Sequence, residues 1–248
     1  MKRLGLQLYT VREQLEDASL RVETLKRLKK LGCDTVQLFG TPELVTQWAP
    51  DCRAQGMEVI GFLGSLEECE AAKDELFAVC KECGIRDIGV SSTTCTYEEA
   101  VDYIPRLNRF AACVTAAGFT FSYHNHSNEF TRTSCGKTVM DLFIEGFDPC
   151  VNFMPDTYWI QHGGADVRHF LERIGQRVKI LHLKDMKRGE NGPDFAEVGY
   201  GNLWFEGILE TAFSLGIEEY VIEQDRCDGD PVESVEKSLN YLKNLNLF

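Results

Sequence analysis

LKKLGCDTVQLFG, residues 28–40, contains the junction on which the fold prediction depends. A helix-like segment ends at Gly32, and a strand-like apolar run follows it at once. Glycine after a helix readily adopts the left-handed conformation that ends it, so the pattern predicts a helix, a tight turn and a strand. Four further copies occur: CRAQGMEVIGFLG at 52–64, CKECGIRDIGVSS at 80–92, VTAAGFTFSYHNH at 114–126 and AFSLGIEEYVIEQ at 212–224.

Eight short apolar segments occur along the chain at a spacing of about thirty residues, which is the length of a βα unit. They are RLGLQLY at 3–9, DTVQLF at 34–39, EVIGFL at 58–63, DIGVSS at 87–92, FTFSYH at 119–124, VNFMP at 151–155, VKILHL at 178–183 and EYVIEQ at 219–224. Such runs are typical of a parallel sheet covered on both faces. We therefore predict an α/β fold, a single (β/α)8 TIM barrel forming one domain over residues 1–248, with an open doubly wound sheet as the alternative.

Composition excludes several classes of function. The chain has 39 acidic and 26 basic residues and a formal charge of −13, which argues against a nucleic-acid partner. The first residues contain no apolar signal-peptide core, and no long apolar run suggests a membrane partner, so we expect a cytoplasmic protein. Its ten scattered cysteines are expected to be reduced thiols.

Acidic and histidine side chains occur where three of the predicted strands end. Asp156, His182 and Glu223 follow the sixth, seventh and eighth strands, and in a barrel these ends converge at one mouth. Two carboxylates and an imidazole suit one divalent ion, Mn²⁺, Mg²⁺, Co²⁺ or Zn²⁺, with positions left open for substrate. Taken singly, they could instead be a helix cap, a core histidine and a surface acid.

The stretch YHNHSNEF, residues 123–130, adds two histidines at the end of the fifth strand. His124 and His126 alternate with Asn125, so both rings should point to the same side. One histidine would complete the metal shell and the other would contact substrate or transfer a proton; we assign His124 to the metal and His126 to catalysis. Glu129 is a candidate substrate contact at the same mouth. The alternative is a hydrogen-bonded loop without a ligand.

Other polar and aromatic residues near these strand ends are candidates for substrate binding. Lys184 and Arg188 follow His182, and Gln37 ends the second strand. Trp159 could offer an apolar wall to the ring of a substrate. The two cations could equally be solvated, and Trp159 could belong to the core. No glycine-rich phosphate loop occurs, which favours a substrate without a phosphate group.

Four motifs resemble those of one superfamily: DTYW at 156–159, HLKDMKRG at 182–189, GYG at 199–201 and VIEQ at 221–224. On these the chain resembles the xylose-isomerase-like sugar (phosphate) isomerases and epimerases, especially the ketose 3-epimerase and inosose dehydratase branches. The resemblance implies that Asp156 and His182 bind metal, that Arg188 contacts substrate, and that Glu223 is both ligand and acid/base. It also implies a divalent metal ion as cofactor.

One departure from the epimerase pattern affects the expected reaction. Epimerases of this superfamily carry a glutamate at the end of strand five, where this chain has His124. In this respect the chain resembles the dehydratase and lyase members more closely. We expect a metal-dependent sugar isomerase or epimerase that abstracts a proton next to a carbonyl, with Glu223 as the first candidate base. A dehydratase or lyase on a keto-sugar or keto-cyclitol is the alternative, and a non-catalytic sugar-binding barrel is another. A small sugar is the expected partner, and a homo-oligomer is compatible with the sequence.

Overall fold

The computed structural model describes residues 2–248, in which eight parallel strands form a barrel. These strands are β1 (Arg3–Gln7), β2 (Thr35–Phe39), β3 (Glu58–Ser65), β4 (Asp87–Ser91), β5 (Thr120–His124), β6 (Val151–Met154), β7 (Ile180–Leu183) and β10 (Glu219–Ile222). They pair in the order β6-β5-β4-β3-β2-β1-β10-β7. Parallel bridges from Phe153 to Val178 and from Asp156 to His182 nearly close the barrel between β6 and β7. The predicted (β/α)8 barrel is confirmed.

Helices follow the strands and cover the outside of the barrel. They are α1 (Ala18–Leu31), α2 (Pro42–Ala54), α3 (Leu66–Ala71), α4 (Lys73–Cys83), α5 (Tyr97–Ala116), α6 (Val139–Gly146), α7 (Thr157–His162), α8 (Val167–Ile174), α9 (Phe205–Ser214) and α10 (Pro231–Asn244). Short 3-10 helices occupy Leu8–Gln14, Asn128–Phe130 and Gly175–Arg177. Among the helices of residues 2–248, none is long and apolar enough to cross a membrane. All ten cysteines are free thiols.

The glycines of the repeated junction have the backbone conformation that the sequence predicts. Gly32 has φ of 92° and ends α1, with its amide donating to the carbonyls of Leu28 and Lys29. The other four junction glycines also have positive φ, with 71° at Gly56, 71° at Gly84, 94° at Gly118 and 76° at Gly216. Each αβ turn can therefore be short, because glycine carries no Cβ that opposes this conformation.

An antiparallel hairpin that the sequence analysis did not predict lies between β7 and α9. Its strands are β8 (Asp185–Gly189) and β9 (Gly192–Ala196). The motif HLKDMKRG therefore crosses from a barrel strand into a separate element. Lys184 lies at the end of the barrel strand, whereas Arg188 lies on the exposed hairpin.

Alternation along the strands separates the interior of the barrel from the layer under the helices. In β10, Tyr220 and Ile222 belong to the large hydrophobic core, while Val221 belongs to a small separate cluster with Ile60, Met154 and Ile180. Side chains two residues apart on a strand point to the same side. Residues that follow Val221, Ile180 and Met154 at a spacing of two therefore point into the carboxyl-end mouth of the barrel, above this small cluster.

Candidate metal centre and active site

Four side chains from different strand ends converge at this mouth. His124 ends β5, Asp156 follows β6, His182 lies on β7 and Glu223 follows β10. One potential ligand atom from each residue lies within 4.8 Å of those of the other three, and all four residues are buried. They are the four residues that the sequence predicts as metal ligands. The barrel brings them together because its parallel strands end at one rim.

Several of the atoms that face one another have unmet hydrogen-bonding capacity. Counting partners within residues 2–248, neither ring nitrogen of His124 has a hydrogen bond, and Oδ2 of Asp156 has none beyond its ion pair with Lys184, whose Nζ lies 3.0 Å away. His124 Nε2 lies 3.6 Å from Asp156 Oδ2 and 3.9 Å from Glu223 Oε2, both too long for a hydrogen bond. Buried polar atoms in native proteins almost always have partners. Two carboxylate oxygens and two imidazole nitrogens in this arrangement fit a divalent cation.

His182 is oriented by a hydrogen bond from behind. Its Nε2 lies 2.7 Å from Oε1 of Gln37, and its Nδ1 lies 2.8 Å from Oε2 of Glu223. The same Gln37 oxygen accepts a hydrogen bond from Nε2 of Gln7 at 3.0 Å. Because this oxygen only accepts, it favours a proton on Nε2, so Nδ1, which faces Glu223 Oε2, is the nitrogen that would bind a metal. Gln37, predicted as a substrate contact, thus lies fully buried behind His182.

Asp156 combines the two roles that its sequence position suggested. Its Oδ1 accepts from the backbone amide of Trp159 at 3.1 Å and so caps α7. Its own amide donates to Oδ1 of Asn125 at 3.1 Å, which ties the loop after β6 to the loop after β5. Its Oδ2 faces His124 and Lys184. Helix capping therefore orients the side chain and leaves one oxygen directed at the candidate metal centre.

Lys184 places a buried ammonium beside the same carboxylates. Its side chain is 1% exposed, and Nζ lies 3.0 Å from Asp156 Oδ2, 3.1 Å from Glu223 Oε2 and 2.7 Å from Asp225 Oδ1. Burial by itself would lower the pKa of Lys184, but Asp156, Glu223 and Asp225 outweigh burial and raise it well above its usual value. Burial would likewise raise the pKa of Glu223, but the charge of Lys184 and the contact with His182 hold it well below its usual range. Lys184 and Glu223 are both ionised near neutral pH.

Asp225 was not singled out from the sequence, although a signal was available. It follows Glu223 by two residues, as Lys184 follows His182 by two, and period-two alternation places each pair on one side of its chain. The side chain of Asp225 is 24% exposed, and burial raises its pKa to about 6, with Lys184 opposing the shift. The strand pattern, extended past its last apolar residue, places Asp225 at the same mouth.

A cavity of about 310 Å³ opens above the candidate metal centre. Its polar lining residues include His124, His126, Lys184, Glu223 and Asp225, and its lining also includes the side chains of Tyr9, Phe39 and Leu63. The rings of Tyr9 and Phe39 meet edge to face with centroids 5.1 Å apart. A concave site with an apolar wall facing a few converging polar groups is the usual form of a small-molecule site.

The remaining predicted site residues occupy different environments. His126 lines the cavity, its ring lies 5.1 Å from that of His124, and burial lowers its pKa to about 4. The Trp159 ring is half-buried and 5.4 Å from the ring of His126. Glu129 is fully buried, where its carboxylate accepts from the Tyr123 hydroxyl at 2.6 Å and from the His126 amide at 3.0 Å. Of the five predicted substrate contacts, Lys184 lines the cavity, while Gln37, Glu129, Trp159 and Arg188 are outside the lining formed by the described residues.

Asp185 explains the GYG segment, which was recognised only by resemblance. Its carboxylate accepts from the amides of Gly199 at 2.9 Å, Gly201 at 2.9 Å and Leu203 at 3.2 Å. A Cβ at position 201 would lie 2.3 Å from Asp185 Oδ1, so only glycine lets the backbone approach this closely. The buried carboxylate thus fixes the loop that connects the hairpin to α9.

The family of the chain follows from a comparison with known sequences. A family model described as xylose isomerase-like TIM barrel matches residues 25–245. The chain belongs to this family. Among curated relatives, an inosose dehydratase from Clostridium perfringens is 26% identical over 156 residues, which are 55% of this chain and 52% of the relative. The chain therefore spans about half the length of the curated relatives it matches.

Solved structures of the same fold cover nearly the whole chain. A sugar phosphate isomerase/epimerase from Parabacteroides distasonis superposes with a TM-score of 0.84 at 25% identity, over 99% of this chain and 95% of that one. A D-psicose 3-epimerase from Clostridium cellulolyticum superposes with a TM-score of 0.71 at 12% identity, over 98% and 99% of the two chains. The second likeness concerns the fold alone.

Proposed function

We propose that this protein is a divalent-metal-dependent enzyme that removes a proton next to a carbonyl of a ketose or related sugar and so isomerises or epimerises it. The proposal depends on one observation above all: His124, Asp156, His182 and Glu223 form a buried cluster with unsatisfied ligand atoms that opens onto a cavity. Their mixed nitrogen and oxygen atoms favour Mn²⁺, Co²⁺ or Zn²⁺ over Mg²⁺, which prefers oxygen ligands alone.

A bound divalent ion would polarise the substrate carbonyl and so acidify the neighbouring C–H group. Glu223 would take that proton. It is ionised, and its contacts with His182 and Lys184 within the described chain involve Oε2, which leaves Oε1 for proton transfer. His126 lines the same cavity, and its low pKa keeps the ring neutral at pH 7. It is therefore the second group that could carry a proton during the reaction.

Elimination of water is the second candidate outcome of the same proton abstraction. His124 stands where the related epimerases carry a glutamate, so the candidate centre has one carboxylate base, Glu223, rather than a symmetrical pair. The curated relatives named inosose dehydratase support this alternative. In both reactions Glu223 acts first, and the fate of the intermediate separates them.

We further propose that the substrate is unphosphorylated. The one lysine or arginine in the cavity lining is Lys184, as far as residues 2–248 show, and three carboxylates surround its ammonium. Arg188, the other predicted substrate cation, lies on the exposed hairpin. A phosphate ester would thus meet carboxylates without a free cation, which disfavours its binding.

Deuterium exchange tests the function. Ketoses and keto-cyclitols are incubated with the Mn²⁺-loaded protein in D₂O and followed by NMR, which reports both α-C–H exchange and the product. Glu223→Gln should lower turnover by about a hundredfold or more with a smaller change in substrate binding, because the base acts in the transition state.

Glu68→Gln is the matched control, because Glu68 lies on the rim of the same cavity and is exposed. It should keep nearly full exchange. Exchange that persists unchanged in Glu223→Gln would exclude Glu223 as the base, and a lack of exchange with every carbonyl sugar would favour a non-catalytic binding barrel.

A further inference from the structure

Lys184 contacts the same two carboxylate oxygens that face the candidate metal centre. Its Nζ lies 3.0 Å from Asp156 Oδ2 and 3.1 Å from Glu223 Oε2, and these oxygens also lie nearest to His124 Nε2. We propose that Lys184 is an internal counter-cation of this centre, which holds the ligand carboxylates together in the metal-free protein and weakens metal binding by its charge. This inference rests on the proposed metal site.

Hydrogen bonds of its backbone and a nearby aromatic ring hold Lys184 in place. Its backbone amide donates to Thr157 Oγ1 at 2.9 Å, and the same hydroxyl donates to the Lys184 carbonyl at 2.7 Å. Its ammonium also lies 5.3 Å from the centre of the Trp159 ring. A lysine that is 1% exposed and fixed by its backbone in this way differs from the solvated loop cation that the sequence alone allowed.

The charges of the centre fit a divalent ion only when the lysine is counted. Asp156, Glu223 and Asp225 supply three negative charges, and Lys184 supplies one positive charge. The remaining excess of two negative charges equals the charge of one divalent ion. Burying an unbalanced charge costs free energy, so a buried site is favoured when the bound ion brings its net charge to zero.

Asp225 determines how strongly Lys184 can act on the other two carboxylates. Its Oδ1 is the nearest of the three partners, at 2.7 Å, and Asp225 also lines the cavity. Removing its charge would leave Lys184 paired with Asp156 and Glu223 alone. The ammonium would then compete more strongly with a metal ion for these two carboxylates. The centre would also lose the negative charge of Asp225, which attracts the metal ion.

Removing the charge of Lys184 and removing the charge of Asp225 should therefore change metal affinity in opposite directions. Lys184→Met removes a positive charge and a competitor, so Mn²⁺ should bind about tenfold or more tightly. Asp225→Asn should weaken Mn²⁺ binding about tenfold, for the opposite reason. In the metal-free protein, Lys184→Met leaves three neighbouring carboxylates without their cation, so the melting temperature should fall by several degrees, on the order of 5 °C.

The experiment measures Mn²⁺ affinity by calorimetry and the melting temperature after chelation for wild type, Lys184→Met, Asp225→Asn and Lys187→Met. Lys187 is the control, because it is partly exposed on β8 and pairs with Asp228 at the surface. Lys187→Met should change neither quantity. Tighter Mn²⁺ binding by Lys184→Met, or weaker binding by Asp225→Asn if Lys184→Met does not fold, supports the counter-cation role.

Two results would overturn the inference. The first is Mn²⁺ binding by Lys184→Met that is equal to or weaker than that of wild type. The second is a metal-free melting temperature of Lys184→Met equal to that of wild type, and this arm needs no metal binding. If neither wild type nor any variant binds Mn²⁺, the proposed metal site fails, and the metal-free melting temperatures still decide whether Lys184 stabilises the carboxylate cluster.

Discussion

His124 is buried with both ring nitrogens lacking a partner among residues 2–248, an arrangement that costs free energy unless something binds them. A metal ligand at this position would remove the cost. We expect His124→Ala and Asp156→Ala to lower Mn²⁺ affinity by about tenfold or more, the scale of losses at metal sites. Metal analysis after equilibrium dialysis measures this, with His169→Ala, an exposed histidine of α8, as the control. Equal metal content in all three variants would contradict the assignment.

At the opposite end of the barrel, the buried carboxyl group of Asp87 should make the stability of the fold depend on pH. It begins β4, and its Oδ1 accepts from the hydroxyls of Thr120 at 2.6 Å and Ser122 at 2.8 Å. Burial raises the pKa of Asp87 to about 6, and these hydrogen bonds only partly oppose the shift. Because the folded pKa exceeds the unfolded value near 3.8, the folded state keeps its proton while the unfolded state ionises.

Stability should therefore fall as pH rises from about 4 to 6, by on the order of 2 to 3 kcal/mol, and level off above that range. Urea unfolding at several pH values measures this slope. Asp87→Asn cannot ionise, so the difference in its unfolding free energy from wild type should change across the same window. A difference that stays constant with pH would show that Asp87 does not titrate in this way.

The loop between the hairpin and α9 is the element whose stability depends most clearly on one side chain. Asp185 accepts hydrogen bonds from the amides of Met186, Gly199, Gly201 and Leu203. Asp185→Asn replaces an acceptor oxygen with a donor, so at least one buried amide loses its partner. We expect a loss of about 2 to 4 kcal/mol in unfolding free energy. Asp228→Asn, at the exposed end of a surface ion pair, is the control and should cost less than about 1 kcal/mol.

Local hydrogen exchange would locate the effect of Asp185→Asn. Faster exchange confined to residues 197–203 would fit the proposed role of the carboxylate in fixing this loop. Unchanged exchange there, with the same global stability, would contradict it.

At the scale of the whole molecule, the barrel is weakest where β6 meets β7. These strands are joined by isolated bridges, whereas each of the other neighbouring pairs in the sheet has at least three paired residues. One of the bridges links Asp156 and His182, two of the four proposed metal ligands. A bound ion would therefore connect strands on both sides of this seam.

We expect Mn²⁺ at a hundred times its dissociation constant to stabilise the folded protein by about 2.7 kcal/mol, since it binds only the folded state. The melting temperature should rise with Mn²⁺ concentration, and amide exchange should slow more in β6 and β7 than in β2 and β3. Asp156→Ala should lose this dependence. A wild-type melting temperature that does not respond to Mn²⁺ would contradict the proposed closure.

Much of the fold and half of the candidate site could be predicted from the sequence because their signals are local. Each barrel strand is marked by a short run of apolar residues, and five of the turns are marked by a glycine after a helix. Both signals lie within a few residues of one another, so all eight barrel strands and these five turns were predictable. Convergence of His124, Asp156, His182 and Glu223 then followed from the geometry of any parallel barrel, in which strand ends share a rim.

Only the tertiary structure decided which polar residues share an environment. The sequence could not distinguish Lys184 from Arg188, yet one is buried among three carboxylates and the other lies on an unpredicted hairpin. It placed Gln37 and Glu129 at the mouth, whereas packing put Gln37 behind His182 and Glu129 under the His126 loop. These outcomes depend on burial and on distances between residues far apart in the chain. Such quantities exist only once the barrel has formed, and they determine charge, protonation and access to the cavity.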